Sequence, residues 1–188
     1  MVKLLSTSTV FLAMVLSAAP AQAESPCSNR SLQGQYAFNV QGANVGVYDA
    51  TGSLHPFAAP LLVTGVGQFT FDGNGSFTRI DYNMGNGVPS INAATPLTAN
   101  GFRTGQTGQY AIAPDCTGTL HLTVPGVRQI VIALALVRSG ERVFGVVAAE
   151  HAFSLPAAIL PPNVSCMAGC DLGDNILLKL TRNAKRDR

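Results

Sequence analysis

The stretch Gly67–Tyr82, GQFTFDGNGSFTRIDY, decides the fold. Phe69 and Phe71 alternate with Gln68 and Thr70, a period-two pattern that predicts a strand with one apolar face. Asp72-Gly73-Asn74-Gly75 follows, and glycines that accept positive φ make this a hairpin turn. The returning strand has Phe77, Arg79 and Asp81 on one side and Ile80, Tyr82 and Met84 on the other. Two orientations are open. Arg79 and Asp81 could be a buried pair facing inward, or Ile80, Tyr82 and Met84 could face inward with both charges in water. The second is the default, because unpaired charges avoid interiors.

The same pattern spreads outward from this hairpin. Upstream, Val63, Gly65 and Gly67 share the face of Phe69 and Phe71, and strand glycines mark bends where a sheet curls. SLQGQYAFNVQG places Leu32, Tyr36, Phe38 and Val40 on one face against Gln33, Gln35, Asn39 and Gln41. TGQYAIA leads through the turn Pro114–Gly118 into TLHLTV, where Leu120, Leu122 and Val124 oppose Thr119, His121 and Thr123. RQIVIALALV and VFGVVAAE, joined by Ser139–Arg142, are apolar on both faces, as in a strand covered by another layer or a partner. Asn175–Thr181 reads as a last strand. Gly85–Gly105 and the Pro-rich Ala152–Asp174 show no clear period and read as loops. No stretch carries a sustained helical period with caps. The expectation is an all-β chain: a single antiparallel β-barrel of about eight strands in up-and-down hairpins, with little helix after a leader.

That leader is Met1–Ala23. Lys3 precedes the apolar run Val10–Ala19, and Ala21-Gln22-Ala23 is a small-x-small cleavage site, the layout of a signal peptide. The run is too short and too broken by serines for a transmembrane helix. The expected domains are therefore 1–23 leader, 24–182 barrel and 183–188 basic tail. Twelve Lys and Arg stand against ten Asp and Glu; losing Lys3 leaves the exported chain nearly neutral. That argues against nucleic-acid binding, which leans on clustered Lys and Arg; the one basic cluster, Lys179–Arg188, reads as a solvated terminus rather than a binding arm. Cys27, Cys116, Cys166 and Cys170 all lie beyond the leader, and an even count in an exported chain points to disulfides in a periplasmic or secreted protein. Of the three pairings, Cys27–Cys116 with Cys166–Cys170 is favoured. A zinc site is the rival, but two of the four cysteines stand alone in sequence.

The stretches Leu32–Phe38, Gly65–Thr78 and Thr107–Leu122, with the apolar hairpin tipped by SGER, resemble exported bacterial β-barrel proteins of allene oxide cyclase-like, calycin-type architecture. The resemblance covers most of the chain beyond the leader. It implies a lipocalin-like barrel able to enclose a small apolar molecule. Plant members of the wider fold cyclise an unstable fatty-acid epoxide, but no catalytic motif of those enzymes is present here, and fold alone does not transfer function.

Other chemistry is sparse. There is no nucleophile elbow, no H-E-x-x-H and no phosphate-cradling glycine loop. His55, His121 and His151 lie far apart and lack ligand spacing, so no metal or other cofactor is expected. Glu150, His151 and Phe153 could sit at the barrel mouth under the Pro-rich loop. The expected interior set is Tyr36, Phe38, Phe69, Phe71, Arg79, Tyr110 and Phe144, the candidate ligand-binding residues. Three roles follow: binding a small apolar ligand in the barrel, a cyclase or isomerase that steers a reactive intermediate by cavity shape, or a packed structural protein that forms a homo-oligomer through the 130–137/143–149 hairpin.

Overall fold

The computed structural model describes residues 26–90, 95–138, 140–162 and 164–183. The expected leader, 1–23, and all but the first residue of the expected tail lie outside them. Nine strands follow one another: β1 (Gln33–Tyr48), β2 (Leu54–Asp72), β3 (Ser76–Gly85), β4 (Val88–Pro89), β5 (Arg103–Ile112), β6 (Thr117–Val124), β7 (Arg128–Val137), β8 (Arg142–Ala152) and β9 (Cys170–Arg182). Single 3₁₀ turns at Asn29–Ser31 and Ala157–Ile159 are the helical elements among the described residues. None is long or apolar enough to cross a membrane.

The sheet runs β2-β1-β9-β8-β7-β6-β5-β3, with β4 a short spur on β3. β2 also pairs with β3, so the eight long strands close on themselves. Every neighbouring pair is antiparallel. Closure leaves no long edge to aggregate, and the all-β barrel expected from the sequence is what forms. Its calycin-like character rests on this topology.

The Gly67–Tyr82 hairpin is part of the wall. Gly67 lies against β1 and β3 so closely that a β-carbon would sit 2.1 Å from the Ile80 carbonyl oxygen and 2.6 Å from the Phe38 ring. Only glycine allows the wall to bend there.

One end of the barrel is packed solid. Leu32, Tyr36, Phe71, Phe77 and Tyr110 are buried there, and the Tyr36 and Tyr110 rings meet Phe71 edge-on at 5.3 and 5.1 Å. The Tyr36 hydroxyl donates to the Gly140 carbonyl at 2.7 Å; the Tyr110 hydroxyl donates to the Leu32 carbonyl at 2.9 Å. The Cys27–Cys116 disulfide ties the incoming segment to the β5–β6 turn at this end, and Cys166–Cys170 staples the loop before β9 at the other. Both pairings match the expectation.

Four readings of the sequence need correction. The stretch Gly85–Gly105, expected as loop, contains β4 and the first residues of β5. Phe144 does not point inward: it is 46% exposed, and its neighbour Val143 is fully buried. The last strand begins at Cys170 rather than Asn175. Arg79 and Asp81 face inward and are buried, with Tyr82 only partly so, which overturns the solvent-facing default.

Candidate functional site

The half of the barrel away from the tyrosines holds a cavity of about 340 Å³. Val40, Val63, Phe69, Leu122, Ile132 and Leu178 form much of its apolar wall. Leu155 and Ile159, from the Pro-rich loop, close over it, and Arg79, Arg103, Arg128, Glu150, Asn44 and Asn83 supply polar groups. The volume falls at the lower end of the ~300–1,000 Å³ typical of small-molecule sites, and so does the pattern of apolar walls with few placed polar groups.

Arg79, Asp81, Arg103 and Gln106 form one buried network. Arg103 grips Asp81 with two parallel bonds, Nε to Oδ1 at 2.8 Å and Nη2 to Oδ2 at 2.7 Å. Arg79 Nη2 lies 2.7 Å from Asp81 Oδ2. Gln106 donates from Nε2 to Asp81 Oδ1 at 2.7 Å and accepts from Arg79 Nη1 at 3.2 Å. The Arg79 guanidinium also lies over the Phe38 ring, 4.7 Å from its centroid, a cation–π contact. Burial pulls Arg79 down to about 10, against the pull of Asp81 and helped by the charges of Arg103 and Arg128, so it stays protonated at neutral pH. Burial works to raise the Asp81 carboxyl, but the Arg79 charge and the bonds from Arg103 outweigh it and hold it below the ordinary range.

A second polar group lies on the β1–β9–β8 side. Asn44 donates from Nδ2 to Asp174 Oδ1, and Arg128 donates from Nη1 to Glu150 Oε1. Burial raises the Glu150 carboxyl, partly offset by Arg128. Burial, and then the nearby Glu150 charge, push Asp174 up to about 7. Three buried polar atoms among the described residues have no partner: Arg79 Nε, Asn83 Oδ1 and Asp174 Oδ2.

Backbone bulges aim several of these groups. Arg79 pairs with Gln106, yet Asp81 pairs with Arg103, so β5 carries one residue more than β3 across this interval. Gly105 sits at φ +73° there, a glycine-supported bulge. The extra residue flips strand parity, so Arg103 and Gln106 both face inward although three positions apart. β8 does the same: Val131 pairs with Ala149 but Ile132 with Val147. The extra residue turns Glu150 onto the inner face that Val143 occupies earlier. β1 carries another irregularity just past Asn44.

Of the seven expected interior residues, Phe69 and Arg79 line the cavity. Tyr36, Phe71 and Tyr110 are buried in the packed end, Phe38 lies beneath Arg79, and Phe144 is outside. Asn44, Arg103, Gln106, Arg128 and Asp174 were not anticipated. Arg103 lies in the stretch read as loop, and Gly105 at its end is the one mark of a bend there. His55 and His151 each pair with an aspartate, Asp49 and Asp171, both at 2.8 Å. Both pairs are outside the cavity. Among the described residues no three His, Cys, Asp or Glu side chains are grouped to hold a metal ion.

No family model matches the chain, and no curated protein matches it. The assignment therefore rests on geometry: a closed eight-stranded antiparallel barrel, packed at one end and hollow at the other.

Proposed function

We propose that the protein is an exported binding barrel that takes a small, mostly apolar molecule into the cavity between Phe69, Leu122 and Ile132. The cavity itself carries this reading, since an eight-stranded barrel can fill its interior with side chains and this one is filled at one end only. Export through a leader cleaved after Ala23 is part of the proposal. Two disulfides support it, because such bonds persist in oxidising compartments. Kinship with the allene oxide cyclase-like barrels draws support from the topology and from the strand motifs around Leu32, Gly67 and Thr107.

A titration with an apolar fluorescent probe tests the binding. Saturable uptake by the wild type, lost in a cavity-filling Val147→Phe variant that keeps its β-sheet circular dichroism, is the expected result. A wild type that takes up no probe contradicts the proposal.

One observation favours a second reading, a cyclase or isomerase. The buried Arg79–Asp81–Arg103–Gln106 network is a set of fixed dipoles beside a confined space, and preorganised dipoles with confinement can steer a reactive intermediate without a nucleophile. A third reading, self-association, draws on the outer face of the β7–β8 hairpin. Phe144 and Val146 are exposed there beside Leu177 of β9. The mass in solution tests it, and a strict monomer contradicts it.

A further inference from the structure

The cavity wall carries more positive charge than its own residues balance. Arg79 and Arg103 are both more than nine-tenths buried, and the single carboxylate between them, Asp81, is fully buried. Its polar contacts go to this network: two to Arg103, one to Arg79 and one to Gln106. Two guanidiniums against one carboxylate leave one positive charge in a water-poor interior. Such a charge is costly unless paired.

The nearest other charges do not cancel it. Glu150 is bonded to Arg128, which itself adds a positive charge felt at Arg79. Asp174 is bonded to Asn44 on the far strands, and burial favours its protonated form. Arg79 also keeps a buried Nε–H with no acceptor, so the protein's own groups satisfy this guanidinium incompletely. Both Arg79 and Arg103 line the cavity, and the remaining wall is largely apolar.

We propose that the molecule held in the barrel bears an acidic group, a carboxylate in the simplest case, which docks head-first against Arg79 and Arg103. Its apolar body then lies toward Leu61, Met84 and Leu155 nearer the mouth. This rests on the binding-barrel reading above and adds the ligand's charge and orientation. An anion at that position supplies the missing countercharge. A cation would add to the excess, and a neutral molecule would leave it standing.

The test is calorimetric titration of the full disulfide-bonded protein with decanoate and with decanol at neutral pH. The two share an apolar tail and differ in charge. A charge-assisted hydrogen bond predicts decanoate binding about 10- to 100-fold tighter. In Arg79→Gln the two affinities should converge, through loss on the decanoate side alone. Equal binding of both by the wild type overturns the acidic ligand and leaves the binding barrel standing. Binding of neither overturns both. Retention of the full decanoate preference in Arg79→Gln overturns the docking position. If that variant does not fold, the wild-type comparison still decides the charge.

Discussion

Replacing Asp81 by Asn leaves shape nearly unchanged and removes one charge. In the native protein Asp81 is fully buried, grips Arg103 bidentately, touches Arg79 and accepts from Gln106. Without its charge, two guanidiniums face each other across a space closed to solvent. Removing one partner of a buried ion pair costs about 3–5 kcal/mol. For a domain of this size each kcal/mol moves the melting midpoint by roughly 2–4 °C, so Asp81→Asn should melt roughly 6–20 °C lower. The assays are thermal melting and urea unfolding, both followed by circular dichroism with the disulfides intact. A companion variant sharpens the test: Arg79→Met, Asp81→Leu and Arg103→Met together remove every charge of this network. Buried ion networks replaced by apolar residues are often neutral or stabilising, so the triple variant should recover most of the loss while losing any preference for acidic ligands. An Asp81→Asn protein within about 1 kcal/mol of wild type would refute the reasoning, because surface pairs, not buried ones, behave that way.

Other outcomes follow from the same geometry. Asp174 is raised to about 7 when folded, against an ordinary 3.8. Its proton is held more tightly folded than unfolded, so its contribution is fully present below the ordinary value and is lost as pH rises through about 7. Unfolding measured at about pH 5 and about pH 8 should show that loss, and Asp174→Asn should flatten it; an unchanged slope contradicts the assignment. Cys27–Cys116 spans a sequence separation of 89 and Cys166–Cys170 one of 4. By loop entropy, removing the first should cost on the order of 4–5 kcal/mol and the second about 2, compared by urea midpoints of the paired Ala variants. Phe71→Ala should cost about 3–5 kcal/mol, as for a buried aromatic, whereas Phe144→Ser should stay within about 0.5 kcal/mol; similar losses in both would mean that Phe144 is not on the outside.

The wall was legible because alternation is a direct image of a strand with two unlike faces. Leu32, Tyr36, Phe38 and Val40 read correctly, as did Leu120, Leu122 and Val124, and all are buried. The Asp72–Gly75 turn read correctly because turn chemistry is local: Asp72 Oδ1 accepts from the backbone of Asn74, Gly75 and Ser76. The polar side of the cavity was hidden because period two fails at bulges. Counting back from Tyr110 and Gln106 in steps of two puts Arg103 outside; one extra residue at Gly105 puts it inside. Ala148, in β8, offers no such mark, so the inward turn of Glu150 left no trace. Phe144 misled for a different reason. β8 is apolar on both faces, so no polar residue marks its outer side, and ring size alone suggested burial. Arg79 and Asp81 defied the default because they pair with each other two residues apart on β3 and Asp81 takes a second guanidinium, Arg103, from β5; Arg103 could be joined to them only once the bulged β3–β5 register was known.

The most direct measurement is native mass spectrometry of the protein isolated from its native host, followed by extraction and identification of whatever leaves with it. A single small molecule at one per chain, apolar in its body, is the predicted result. A clean, empty mass, together with failure to take up an apolar fluorescent probe, would contradict a binding barrel and would move the search for function to the outer surface.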